Sequence, residues 1–169
     1  MTSAELLADA FGRVRGLCHR VLEGVAPEHL SARLDPKANT IAWLIWHLSR
    51  IQDDHLADAA GREQVWLAGG WAKRCALPFE EHATGYGQSA EEVAALGSVS
   101  AELLLGYFDA TVAATIDFVS GLHDEDLDRI VDATRTPPVS LGVRLVSVIS
   151  DNLQHVGQAA YVRGCLERG

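Results

Sequence analysis

Apolar residues recur every three or four positions along four long segments, and this spacing limits most strongly how the chain can fold. The segments cover residues 3–23, 40–60, 99–120 and 141–167. One face of a helix has this spacing, whereas a half-buried strand alternates, which no segment shows convincingly. We therefore predict an all-α protein without a sheet, a four-helix bundle forming a single domain over residues 1–169.

Residues suited to helix ends stand at the ends of these segments. Ser, Thr and Asn side chains accept hydrogen bonds from the first N–H groups of a helix, and Gly commonly ends one. Capping boxes are predicted at Thr2 with Glu5 and at Ser89 with Glu92, the second opening a short helical turn. The other predicted caps and stops are Asn39 or Thr40, Gly61, Ser98 or Ser100, Gly121 and Ser140.

Residues 61–88, between the second and third long helices, form a glycine-rich stretch without sustained periodicity. A loop of this length in a compact domain is usually functional or disordered, and its aromatic residues argue against disorder. We predict a long ordered loop that forms a wall of a binding pocket, with Trp71 as a candidate substrate-binding residue. The alternative is that the aromatic side chains only cover the core.

The chain is acidic, with a formal net charge of −9 and a pI near 5.1. Nucleic acids and anionic membranes attract basic surfaces, so we expect neither as a partner. The three cysteines are far apart and form no CxxC pair, which indicates reduced intracellular thiols. The N-terminal residues lack a signal-peptide pattern, and no segment is interpreted as a membrane span. These features predict a cytoplasmic protein.

Three polar residues stand on apolar helix faces. His47 shares the stripe of Leu44 and Ile51 in the second long helix, while Asp151 and His155 lie one turn apart in the fourth. Unpaired, a buried carboxylate and two imidazoles would cost several kcal/mol or more. Carboxylate and imidazole are usual ligands of divalent metals, and three protein ligands leave one position open. The sequence therefore predicts a metal site at these three residues.

Simpler explanations exist for each residue alone. His47 can be a hydrogen-bonded core histidine, and Asp151 with His155 can be an intrahelical ion pair. Gln158, one turn beyond His155, is a candidate for contacting a ligand or a neighbouring helix. Asp54, two turns from His47, is a candidate for orienting an imidazole or a solvated residue at the end of the bundle.

Two stretches carry a resemblance to a known family. The second helix of DinB-like proteins, where a histidine is a metal ligand, resembles the stretch NTIAWLIWHLSRIQDDHL. Their fourth-helix signature resembles DNLQHVGQAAYVRG. Asp151 stands where many members have a first histidine. The branch most similar to this chain, the domain of unknown function 664 near mycothiol-dependent maleylpyruvate isomerase, has a glutamate there. The resemblance covers nearly the whole chain.

The resemblance implies a DinB-type four-helix bundle and a zinc or nickel site held by His47, Asp151 and His155. It also implies a homodimer and a small-molecule substrate, with mycothiol as a co-substrate. We expect a thiol-dependent S-transferase or isomerase in which these residues are ligands. The alternatives are a metal-dependent hydrolase and a non-enzymatic metal- or small-molecule-binding stress protein.

Overall fold

The computed structural model describes residues 1–168, and four helices of 20 to 26 residues account for most of them. The α-helices in chain order are α1 (Ser3–Leu22), α2 (Pro27–Ser31), α3 (Ile41–Ala60), α4 (Val65–Ala68), α5 (Trp71–Cys75), α6 (Ala90–Ala95), α7 (Ala101–Ser120) and α8 (Leu141–Leu166). Two short 3₁₀ helices cover Leu96–Ser98 and Asp124–Asp128, and strands β1 (Ile130–Asp132) and β2 (Val139–Ser140) precede α8.

Helices α1, α3, α7 and α8 form the bundle, and α3 is its central element. Helix α3 packs against both α7 and α8, while α1 completes the bundle on the other side of those two helices. Fifteen of the 20 residues of α3 are buried, including its polar residues His47, Arg50 and Asp53. Because α3 faces neighbours on most sides, its polar residues must find partners within the protein.

The predicted helix ends are confirmed. Glu5 N–H donates to Thr2 Oγ1 over 3.1 Å while Thr2 N–H donates to the Glu5 carboxylate over 2.8 Å, which completes the capping box. Side-chain caps also begin the other three long helices, at Thr40, Ser100 and Ser140. These ends depend on contacts within one helical turn, so the local sequence is sufficient to predict them.

Residues 61–88, which form most of the connection between α3 and α7, are ordered, as predicted, and contain the short helices α4 and α5. Trp66 of α4 is buried at 3% exposure against Trp46 and Tyr107, with ring centroids 6.2 and 4.8 Å away. Aromatic burial therefore fixes this connection on the bundle, although its sequence shows no period.

The prediction of no sheet is wrong, because β1 and β2 pair as a two-stranded antiparallel sheet. The strands have three and two residues, too few to show an alternating pattern. Helix α2, which has five residues, was also not predicted, because a single turn is too short to show an apolar stripe. Both elements connect the long helices and leave the four-helix bundle unchanged.

Helix α7 corrects the expectation that no segment has the character of a membrane span. By length and composition alone this helix could cross a membrane, because an 18-residue window within Ala101–Ser120 has a mean hydropathy of 1.4. In the structure it packs against α1 and α3 and buries Leu104, Phe108 and Val119 in the core. This packing is that of a core helix in a globular domain.

Candidate metal centre

His47, Asp151 and His155 converge between α3 and α8. One ligand atom from each residue can be chosen so that all three lie within 4.8 Å of one another. Two of the residues are on the same face of α8, one turn apart, and α3 brings His47 opposite them. The grouping joins two imidazoles and a carboxylate, which is a donor set that zinc accepts.

His47 is 5% exposed and held on two sides. Its Nδ1 lies 2.5 Å from the Thr84 carbonyl oxygen, and its ring stacks on Trp43 at a centroid distance of 4.5 Å with an interplanar angle of 9°. Because a carbonyl can only accept, Nδ1 carries the proton in this contact. The lone pair of Nε2 is therefore free to bind a cation.

His155 is oriented by its own helix. Its Nδ1 lies 2.8 Å from the Asp151 carbonyl oxygen, so this nitrogen also carries the proton. The ring meets His47 edge to face, with centroids 4.6 Å apart. In their neutral forms both histidines therefore have the same tautomer, with the proton on Nδ1 and Nε2 unprotonated, which is the form that ligates a metal.

One oxygen of the Asp151 carboxylate lacks a well-directed hydrogen bond. Oδ2 is buried and has no hydrogen-bond partner among residues 1–168. It lies 3.3 Å from His155 Nδ1, but the proton of that nitrogen is directed to the closer carbonyl of Asp151. A buried carboxylate oxygen without a donor is costly, and a bound cation would remove that cost. These three residues therefore fit a divalent ion.

The two imidazoles differ in their electrostatics. Burial lowers the pKa of His47, as does the nearby His155, and the Thr84 carbonyl and Asp151 only partly compensate. Burial also acts to lower the pKa of His155, but the Asp151 side chain and carbonyl outweigh it, so the pKa of His155 is raised. A ligating imidazole must be neutral, so His47 is the better prepared of the two.

The other candidate residues from the sequence lie in different surroundings. Gln158 is exposed and lines a groove of about 420 Å³ with Leu44 and Tyr161. Asp54 accepts a 2.7 Å hydrogen bond from Gln64, and its Oδ2 lies 3.6 Å from His55 Nδ1. Trp71 stacks beneath the Arg74 guanidinium, 3.3 Å away, and lies 5.9 Å from Tyr107 of α7.

A buried charged network next to the site was not predicted. The Asp53 carboxylate accepts from Val65 N–H, Trp66 N–H and the Tyr107 hydroxyl, at 2.8, 2.7 and 2.8 Å. It thereby caps α4, whose own N-cap residue Gln64 makes no capping bond. Asp53 is 12 residues before Val65, so no local pattern indicates this capping.

Arg50, one turn before Asp53 in α3, also belongs to this network. Its guanidinium is fully buried, donates to Tyr107 Oη and Gln64 Oε1 at 3.2 and 2.8 Å, and lies 3.6 Å from Asp53. Its Nε donates to the Ala83 carbonyl over 3.0 Å. The one signal that the sequence offers is a charged pair, Arg50 and Asp53, at helical spacing within an otherwise apolar helix.

Comparison with known proteins identifies the family. The model of the DinB superfamily matches residues 10–159. A solved structure described as a conserved protein of a locus from Enterococcus faecalis superposes with a TM-score of 0.89 at 28% identity, covering 96% of each chain. None of the curated proteins compared with the chain matches it. The matched family model covers most of the chain and the four-helix fold agrees with it, so this protein belongs to the DinB superfamily.

Proposed function

We propose that this protein is a divalent-metal-dependent enzyme that transfers or adds a small thiol to an electrophile in the cytoplasm. The observation that supports it best is the unsatisfied Asp151 Oδ2 beside two imidazoles whose Nε2 atoms are free. A zinc or nickel ion held by three protein ligands, with one position open, would bind a thiol sulfur and favour its thiolate form.

The protein side chains act by binding and orientation. His47 and His155 keep their protons on Nδ1, held by the carbonyls of Thr84 and Asp151, and so offer fixed lone pairs. Asp151 supplies the negative charge that offsets a cation. In the overall reaction the thiol sulfur forms a bond to an electrophilic carbon and its proton is released. In substitution the leaving group departs with its electron pair, and in isomerisation the thiol is eliminated again.

A hydrolase is the less favoured use of the same three residues. A hydrolase needs a general base, and the carboxylate of Asp54, two turns from His47, is hydrogen-bonded to Gln64 and lies beside His55. A thiol needs no separate base when a metal ion lowers its pKa. The resemblance to the mycothiol-dependent isomerase branch favours the thiol reaction, with mycothiol as the proposed co-substrate.

The test begins with metal content. Purified protein is loaded with zinc or nickel, and bound metal is measured by elemental analysis for the wild type, His47→Ala, His155→Ala and Asp151→Glu. We expect about one ion per chain for the wild type and Asp151→Glu, and loss of binding in both alanine variants. Gln158→Ala is the control, because Gln158 lies one turn beyond His155 on α8 but is exposed and is not a proposed ligand.

Activity is then measured with 1-chloro-2,4-dinitrobenzene and low-molecular-weight thiols, including mycothiol. We expect the loaded wild type to accelerate formation of the thioether and release of chloride, and His47→Ala to remain at the rate without enzyme. Stoichiometric metal binding with no acceleration for any thiol would support the non-enzymatic binding protein instead. Loaded protein that cleaves esters or amides but transfers no thiol would support the hydrolase.

We further propose that the protein forms a homodimer through the exposed face of α8. Its exposed residues between 143 and 161 are all uncharged: Val143, Val146, Ser147, Ser150, Leu153, Gln154, Gly157, Gln158, Ala160 and Tyr161. Each copy has a net charge of −9, so two copies repel each other. A two-fold contact also places residues of one copy close to the same residues of the other, so charged side chains there would meet like charges. An uncharged face avoids this repulsion. Sedimentation velocity should show a dimer for the wild type and a monomer for Leu153→Glu. Ile130→Glu, which changes an exposed residue outside α8, is the control and should remain a dimer. A monomeric wild type would contradict the proposal.

A further inference from the structure

Residues 83–88 cross one face of α3, and we refer to them as the strap. Three side chains of α3 hold it, and they are spaced four and three residues apart along the helix. Arg50 Nε donates to the Ala83 carbonyl over 3.0 Å, His47 Nδ1 to the Thr84 carbonyl over 2.5 Å, and Trp43 Nε1 to the Gln88 side chain over 2.7 Å. The strap is therefore fixed on both sides of the residue that contacts His47.

We propose that the strap positions His47 for metal binding and that Gly85 is the residue that allows it to do so. This inference rests on the proposed function, because it concerns the same site. The Thr84 carbonyl selects the His47 tautomer that leaves Nε2 free, as hydrogen bonds to the second nitrogen of a ligating histidine commonly do. Stacking on Trp43 fixes the plane of the ring.

Gly85 is required for two independent reasons. Its φ of +96° is rarely adopted by residues with a side chain. In addition, a Cβ at this position would lie 2.9 Å from His47 Nδ1, 3.0 Å from Trp46 and 3.1 Å from Trp43. All three neighbours are rings packed in the core. Any side chain at position 85 would therefore push the strap away from His47 and weaken the Thr84 contact.

Gly87 provides a matched control in the same strap. Its φ is +74°, so alanine there is strained in a similar way, but a Cβ at Gly87 meets no atom of residues 1–168 within 4 Å. A comparison of Gly85→Ala with Gly87→Ala thus separates displacement of the strap from general backbone strain. Gln88→Ala is a milder variant, which removes the bond to Trp43 without adding atoms.

The first measurement uses metal-free protein, so that it does not depend on whether the site binds metal. Long-range ¹H–¹⁵N NMR spectra of histidine rings report which nitrogen carries the proton. We expect His47 to be protonated on Nδ1 in the wild type and Gly87→Ala, and to be a mixture of tautomers in Gly85→Ala and Gln88→Ala. A wild-type His47 protonated on Nε2 would overturn the proposal.

The second measurement is zinc affinity by competition with a chromophoric chelator. Loss of a contact that orients a ligand commonly weakens metal binding by roughly 10–100-fold. We expect a loss in this range for Gly85→Ala, a smaller loss for Gln88→Ala and little change for Gly87→Ala. Equal losses in the two glycine variants would contradict a specific role of Gly85. The two proposals can fail separately. If the wild type binds no zinc, but the His47 tautomer changes only in Gly85→Ala and Gln88→Ala, the metal site is contradicted while the role of the strap in orienting His47 is supported.

Discussion

Replacing Asp53 by alanine tests whether the buried network holds the connection between α3 and α7 on the bundle. The carboxylate satisfies two backbone N–H groups of α4 and the Tyr107 hydroxyl, and it lies beside the fully buried Arg50. Asp53→Ala leaves these three donors without their acceptor and the guanidinium without its counter-charge. No local residue replaces the lost cap, because Gln64 makes no capping bond.

The magnitude follows from these contacts. An unsatisfied buried donor costs about 1–3 kcal/mol, and breaking a buried ion pair by removing one partner costs about 3–5 kcal/mol. The contributions overlap, because the same carboxylate serves both, and relaxation admits some water. We expect Asp53→Ala to lower the free energy of unfolding by about 3–5 kcal/mol. This is a large share of the total stability of a typical domain.

Urea unfolding followed by circular dichroism measures this loss. Asp54→Ala is the matched control, since Asp54 is the next residue in α3, is only partly buried and accepts a single bond from Gln64. We expect this control to lose about 1 kcal/mol or less. If Asp53→Ala and Asp54→Ala unfold at the same urea concentration, the network does not stabilise the fold and the reasoning is refuted.

Three further outcomes are expected. Asp151→Asn should reduce zinc affinity at least tenfold, yet change the free energy of unfolding of metal-free protein by less than about 1 kcal/mol, because Oδ2 makes no well-directed hydrogen bond and loses only an ion pair with the partly exposed His155. A large loss of stability would mean that Asp151 is a structural residue. Burial, together with the charge of Arg144, lowers the pKa of His55 from 6.5. The fold therefore favours neutral His55, and the resulting stabilisation is lost as the pH falls below 6.5. In urea titrations, His55→Gln should lose less stability than the wild type between pH 7 and 5. Burial raises the pKa of Cys75 to about 11 and that of Cys18 further still. Ellman's reagent at pH 8 should therefore modify the partly exposed Cys165 first, and the other two thiols only after unfolding. Fast reaction of all three thiols would show that the core is open.

The long helices were predictable because their signals are local. The apolar stripes and the caps at Thr2, Thr40, Ser100 and Ser140 each depend on residues within a few turns. The convergence of His47 with Asp151 and His155 was also predictable, since helical spacing placed the three polar groups on faces that a bundle must bury.

The rest of the site depends on contacts between distant residues. Asp53 caps a helix that begins 12 residues later, and the partner of His47 is a backbone carbonyl, which has no residue-specific signal in the sequence. The strands of the small sheet are too short for a detectable pattern. Sequence spacing thus identified which polar groups face inward, but it could not identify the groups that orient them.

The division of the candidate ligands between two helices has a thermodynamic consequence. His47 and Asp151 are more than a hundred positions apart, and an ion bound by both would join α3 to α8 only in the folded chain. Such an ion acts as a reversible cross-link, and linkage predicts a stabilisation of about 2.7 kcal/mol when its free concentration is a hundred times its dissociation constant. The melting temperature of the bundle should therefore rise with zinc concentration and return to its metal-free value when a chelator is added.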